Sequence, residues 1–297
     1  MKRFTLLLAI AIMSCSAALA QNLSEKMNFT NFTSIDAEYA YQINVTKGSS
    51  NTIEVIYPER FKEYLKIFVS GETLNLSTEF PKKNLWMRGT SLKDDEKIIV
   101  NVEMEEIKGI DLSGAASLKA NGEFYTKNFR LSMSGASEIE DVLYINAEKF
   151  TYSMSGASEA SVSGSFTIAS GHISGASELE LNGNSESLSL GCSGASEAEF
   201  NGNVTNKVTI ECSGASEVTL AGRCSEILIQ CSGASEVDAE DMKSMNATAS
   251  ASGASYIKVH ADETLSLKAT GGSKIRYYGD GKYTPQESAS SPIARGK

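Results

Sequence analysis

The chain has 297 residues and a formal net charge of −10, with 27 Lys+Arg against 37 Asp+Glu, so the basic stripe that phosphate binding requires is missing and nucleic acid is excluded as a partner. It contains 24 Gly and 4 Pro, and 8% of its residues are aromatic; with Ser, Ala and Asn abundant, this composition argues against a Leu-rich helical core and suits many short strands joined by tight turns.

In chain order, Lys2 and Arg3 precede an apolar run from Phe4 to Met13, and small residues lead to Ala18-Leu19-Ala20. This is the pattern of a signal peptide over residues 1–20, cleaved before Gln21. Ile12-Met13-Ser14-Cys15 also fits a lipoprotein cleavage box, in which Cys15 carries a lipid anchor. Either route predicts an exported protein: periplasmic, outer-membrane-associated or extracellular. No later stretch approaches the roughly 18 apolar residues of a membrane span, so no transmembrane segment is expected.

Residues 22–80 alternate with period two in short runs, such as Tyr41, Ile43 and Val45, then Ile53, Val55 and Tyr57, then Ile67 and Val69, then Leu74 and Leu76. These predict strands that cap a larger stack, and residues 22–105 are assigned as irregular N-terminal rungs. Pro81 to Gly89, with Trp86 and Arg88 inside it, and the charged run from Lys93 to Lys97 read as a protruding loop.

From residue 106 a motif around Ser-Gly-Ala-Ser recurs, with glycines at Gly114, Gly135, Gly156, Gly175, Gly194, Gly214, Gly233, Gly253 and, in a degenerate copy, Gly271. Successive glycines are 18 to 21 residues apart, a period that predicts a solenoid with one rung per repeat. The column two before each glycine reads Leu112, Met133, Met154, Ile173, Cys192, Cys212, Cys231, Ala251 and Ala269. Two residues earlier stand Ile110, Leu131, Tyr152, Gly171, Leu190, Ile210, Ile229, Ala249 and Leu267, apolar apart from one glycine. The column between them is mostly polar. Four past the glycine come Leu118, Ile139, Ala160, Leu179, Ala198, Val218, Val237, Ile257 and Ile275. Alternation held in register through nine copies predicts strands stacked about 4.8 Å apart with one face inward. Turns fall at the Ser-Gly-Ala-Ser corner and at Asn182-Gly183, Asn201-Gly202 and Ala221-Gly222. The expected fold is therefore all-β: a right-handed parallel β-helix forming one domain over residues 22–283, with repeat rungs over 106–283. The Ser/Ala-rich residues 284–297 read as a disordered tail.

With these features the sequence resembles the family described as putative auto-transporter adhesin, head GIN domain, over roughly residues 30–280. The resemblance is carried by Phe32-Thr33-Ser34-Ile35-Asp36-Ala37, Tyr41-Gln42-Ile43-Asn44-Val45-Thr46-Lys47-Gly48, Thr52-Ile53-Glu54-Val55, Gly71-Glu72-Thr73-Leu74-Asn75-Leu76 and the repeat array. It implies a β-helical domain of the Gram-negative envelope or exterior with an adhesive role, and it supplies no catalytic or binding residues. One departure is that no segment after the repeats reads as a membrane barrel.

Catalysis needs a localised set of unlike groups, whereas the outward columns repeat like groups. His172 and His260 fall on different columns several rungs apart, which argues against a histidine-based triad. Asp111, Asp141 and Arg130 are the residues to inspect for a polysaccharide-processing site, and solvated surface is the simpler reading of them. The sharpest surface feature is Glu138, Glu159, Glu178, Glu197, Glu217 and Glu236, each three past a glycine. Stacked in register they form a ladder whose repulsion is met either by calcium on the carboxylate oxygens or by side chains fanning into water, where their charge keeps solenoid faces apart. Cys192, Cys212 and Cys231 lie in an inward column and read as buried free thiols, and Cys224 lies apart near a turn. Trp86 with Arg88 is a candidate ligand contact, since an amphipathic aromatic beside basic groups can stack on a sugar. No cofactor is expected and no enzyme activity is assigned. The sequence reads as a binding or adhesin-like scaffold for an envelope protein, a glycan or a lipid. A β-helical polysaccharide-processing enzyme and a structural spacer are the alternatives.

Overall fold

The computed structural model describes residues 22–29, 31–80, 92–93, 96–285 and 291–296. The period-two alternation becomes strands throughout: among the described residues there is no α-helix, and a single 3-10 turn spans Glu59–Phe61. Among the described residues no helix is long and apolar enough to cross a membrane.

In chain order the strands are β1 (Asn22–Asn28), β2 (Ser34–Ala37), β3 (Tyr41–Lys47), β4 (Thr52–Pro58), β5 (Leu65–Ser70), β6 (Thr73–Thr78), β7 (Ile98–Met104), β8 (Gly109–Leu112) and β9 (Ser117–Asn121). They continue with β10 (Glu123–Met133), β11 (Glu138–Ile139), β12 (Leu143–Met154), β13 (Glu159–Ile173), β14 (Glu178–Cys192), β15 (Glu197–Cys212), β16 (Glu217–Cys231), β17 (Glu236–Ala251), β18 (Tyr256–Ala269), β19 (Lys274–Tyr278), β20 (Lys282–Pro285) and β21 (Ile293–Arg295). From β10 onward every pairing is parallel and joins one rung to the next. The result is a β-solenoid of about nine turns.

The register follows the sequence columns. Met133 faces Met154, then Ile173, Cys192, Cys212, Cys231, Ala251 and Ala269 in succession, and all are buried. Gly171, the one interruption in the apolar column, has a physical cause. A Cβ there would lie 2.4 Å from Cδ2 of Tyr152, and the Tyr152 phenol donates to the Ser189 carbonyl at 2.9 Å. The tyrosine of one rung therefore fills the space left empty in the next. Phe129, Phe150 and Phe166 form a second internal stack, with ring centroids 5.3 and 5.0 Å apart, a spacing suited to offset aromatic packing.

The N-terminal strands are more than irregular first rungs taken in chain order. β2 and β3 form the rung that β8 and β9 stack upon, and β6 and β7 form the rung beyond it. The chain leaves β7 and resumes at β8, passing the β2–β3 rung that lies between. β4 then pairs antiparallel with β7, β1 with β4 and β5 with β6. β4 and β5 run against the stack and β1 runs with it again, and the three cover the end of the stack, which would otherwise present a continuous parallel edge.

At the other end, the segment expected to form a tail contributes strand structure. β20 pairs with β18, and β21 pairs with β19 through Ile275, Arg276 and Tyr277.

Candidate binding surface

The surface is built at the Ser-Gly-Ala-Ser corner. Gly194 has φ +76, and a Cβ on it would sit 2.8 Å from the Gly175 carbonyl oxygen of the preceding rung. Glycine is thus required twice, for the left-handed backbone and for close stacking. Successive corners are tied by backbone bonds such as Ala195 N–H to the Gly175 carbonyl at 2.7 Å and Ala215 N–H to the Gly194 carbonyl at 2.7 Å.

The second serine of each corner points inward. Ser137, Ser158, Ser177, Ser196, Ser216, Ser235, Ser255 and Ser273 are all buried; from Ser158 onward their hydroxyls donate to the carbonyl three residues back, at 2.7 Å for Ser177 and 3.0 Å for Ser196, and Ser137 donates to the Leu112 carbonyl of the preceding rung at 3.5 Å. The sequence reading passed over this column. Its signal is parity, since it lies in phase with the apolar columns on either side and is replaced by Ala116 in the first copy.

The glutamate that follows is turned outward by the same alternation. Glu138, Glu159, Glu178, Glu197, Glu217 and Glu236 stand directly opposite one another in five consecutive pairings. Glu180 and Glu199 form a parallel second line two residues on. Beside them a shallow hollow of 260 Å³ is bounded by Glu140, Asp141, Glu159, Glu178 and Glu180. Among the described residues no ladder carboxylate takes part in an ion pair, and the cations of this face sit at its ends. Lys119 meets Asp141 at 2.6 Å, and Lys258 meets Asp238 at 2.5 Å and Glu240 at 3.5 Å. Desolvation, and then the charges of Glu159 and Glu197, hold the Glu178 carboxyl above its usual range. No group of three or more acidic, histidine or cysteine side chains converges in a metal-binding arrangement among the described residues, so each step of the ladder offers two ladder carboxylates to a cation.

Other residues singled out from the sequence are dispersed. Arg130 reaches both carboxylate oxygens of Asp111 at 2.5 Å, whereas Asp141 pairs with Lys119 across a different set of strands. Asp36 lies in register with Asp111, and its pKa is raised by burial and by that neighbouring charge. His172 binds Ser193 Oγ through Nε2 at 2.9 Å, and His260 binds Asp262 at 3.0 Å several rungs away. Cys192, Cys212, Cys224 and Cys231 are free and buried. Burial pushes the Cys224 thiol up to about 12, and hydrogen bonds to Cys212 together with burial push Cys192 and Cys231 well up. Trp86, Arg88 and Cys15 lie outside the described residues. One mixed cluster was not expected: a hollow of 450 Å³ near the C-terminal end, lined by Glu240, Asp241, His260, Tyr278, Asp280 and Arg295.

The sequence matches the family described as putative auto-transporter adhesin, head GIN domain, over residues 31–182 and 166–281. Among solved structures, it is similar to a putative adhesin from Parabacteroides distasonis ATCC 8503, at 14% identity and a TM-score of 0.52, covering 93% of this chain and 95% of that one. It is also similar to a putative adhesin from Parabacteroides merdae ATCC 43184, at 15% identity and a TM-score of 0.48, covering 93% and 97%. A third similar structure is a putative lipid binding protein from Parabacteroides distasonis ATCC 8503, with the same identity, TM-score and coverage as the second. At 14% identity the likeness to the first of these concerns the fold alone. No curated protein matches the sequence.

Proposed function

We propose, because the chain belongs to the putative auto-transporter adhesin, head GIN domain family, that it is an exported, non-catalytic adhesive module of the cell envelope that holds a rigid face toward a protein, glycan or lipid partner. The observation that carries this reading is the direct lateral register of the six glutamates from Glu138 to Glu236 through five consecutive pairings. A face whose spacing is fixed by backbone pairing is already ordered before it binds, so association loses less conformational entropy. Its charge raises the encounter rate with cationic groups on a partner and repels other copies of itself.

The test uses the chain from Gln21 onward, immobilised and challenged with envelope extracts, a glycan array and liposomes, alongside a variant carrying Glu159→Gln, Glu178→Gln and Glu197→Gln. Retention of a partner that the variant loses supports the reading. No retention above background from any of the three sources removes it in favour of a spacer.

The C-terminal hollow favours a second reading, that of a polysaccharide-processing enzyme, because it gathers carboxylates, a histidine, a tyrosine and an arginine. Within it Arg295 pairs with Asp280 at 2.9 Å, leaving Glu240 and Asp241 as the remaining carboxylates. Release of reducing ends or of unsaturated products from acidic polysaccharides, abolished by Glu240→Gln, would establish it.

A further inference from the structure

The N-terminal strands meet the first full repeat at a seam where consecutive rungs differ in path length. Between β7 and β8 the chain needs only residues 105–108. One rung later the equivalent path runs through residues 123–129, which pair with β12 on one side, whereas β8 pairs only with Arg130 to Met133 on the other. The side of the solenoid opposite the Ser-Gly-Ala-Ser corner therefore begins as a ledge.

Tyr125 stands on this ledge and is 58% exposed. It is nevertheless held from one side, where the Lys47 ammonium lies 4.8 Å from its ring centroid. A hollow of 510 Å³ opens beside it, bounded by Asn31, Lys47, Asn51, Glu105 and Glu106. The polar groups are oriented by the protein itself. Asn51 donates through Nδ2 to the Phe32 carbonyl at 2.8 Å, which fixes the amide, and Glu106 accepts from Thr126 Oγ1 at 2.7 Å.

We infer that the ledge is a saccharide-binding site, in which a neutral pyranose lays its C–H face on Tyr125 and directs its hydroxyls to the Asn51, Glu105 and Lys47 side chains. This deepens the adhesive reading above and rests on it. A pyranose has an apolar face and a rim of hydroxyls, which matches an amphipathic aromatic beside a few fixed amides and carboxylates. A platform already held in place loses less rotamer entropy on binding. Glu105 and Glu106 disfavour uronic or sulfated sugars by like-charge repulsion. A strand-adding peptide fits less well, because Lys47 Nζ already donates to the Glu123 carbonyl on the open edge and Thr126 is engaged by Glu106; charged side chains of this kind guard an edge against strand addition.

The experiment is calorimetric titration of the protein with neutral hexasaccharides of glucose, mannose and N-acetylglucosamine, repeated with Tyr125→Ala and Tyr125→Phe. At least one hexasaccharide binds saturably, Tyr125→Ala weakens it by about tenfold or more, and Tyr125→Phe keeps it within about threefold. Thermal melts confirm that both variants fold. Absence of saturable binding by all three sugars, or binding that survives Tyr125→Ala, overturns the site. The Glu159/Glu178/Glu197 variant tests the adhesive reading separately, through capture of the envelope partner, so failure of the sugar site and failure of that reading are told apart.

Discussion

Three glycines separate the two demands that stacking places on the backbone. Gly71 has φ +61 with nothing within 4 Å of a built Cβ, so Gly71→Ala carries only the left-handed conformational cost. That cost is about 1–2 kcal/mol, offset by about 0.4–1 kcal/mol from the stiffer unfolded chain. Gly202 lies outside the left-handed region, but its Cβ would sit 1.6 Å from the Gly183 carbonyl oxygen of the rung before. Gly202→Ala must therefore push two rungs apart by more than an ångström and break the pairing on either side. A loss of about 3 kcal/mol or more is expected, at the top of the overpacking range. Gly194→Ala combines φ +76 with a 2.8 Å approach and should fall between, at about 2–3 kcal/mol. Thermal melts followed by far-UV circular dichroism should then show a fall of about 1–3 °C for Gly71→Ala and of about 6 °C or more for Gly202→Ala, at the 2–4 °C per kcal/mol expected for a chain of this size. Gly272→Ala, whose nearest atom is 3.5 Å away, serves as the neutral control. If Gly202→Ala melts no lower than Gly71→Ala, carbonyl-to-glycine stacking between rungs is not what fixes those positions.

The glutamate ladder makes a signed prediction with pH. Because Glu178 has a raised folded-state pKa, it binds its proton more tightly when folded, so its contribution to stability increases as pH falls through its titration and is smallest at neutral pH. Glu178→Gln should raise stability at pH 7 by about 1 kcal/mol after screening at physiological salt, and the gain should shrink in 1 M salt; a gain independent of salt would contradict the ladder. Glu96 works in the opposite direction. The Arg60 guanidinium holds its carboxyl at about 2, so its stabilisation is present above pH 4.5 and is lost as pH falls toward 2. Glu96→Gln should cost about 1.5–3 kcal/mol at pH 7 and almost nothing at pH 2, as read from urea midpoints. Alkylation of the mature protein in denaturant without reductant should label Cys192, Cys212, Cys224 and Cys231, and native protein should label at none of them; an adduct count of two in denaturant would reveal a bridge. Calcium titrated to about 5 mM should give no saturable heat, because each step of the ladder supplies only two carboxylates where calcium prefers six to eight oxygens; a saturable heat lost on Glu178→Gln would assign the ladder as a calcium site.

The amino-acid sequence alone determined the repeat, its period, the inward columns and the outward line of glutamates. In a stack of parallel strands each rung is positioned by its neighbours, so a residue's face follows from its offset to the nearest repeat glycine. That is why Met133, Ile173 and Cys212 could be placed on one interior line before any coordinates. Tertiary structure decided whatever depends on contacts the period does not encode. The exchange of order among β2, β3, β6 and β7, and the antiparallel cover of β1, β4 and β5, rest on which non-repeating edges meet. Alternation specifies a strand's faces but not its partner or direction. Ser196 reads as polar in any composition, and only the folded corner brings the Ser193 carbonyl to within 3.0 Å of its hydroxyl. The ledge under Tyr125 exists because one rung takes a four-residue path where the next takes a longer one, and such a difference gains meaning only when the two are laid side by side.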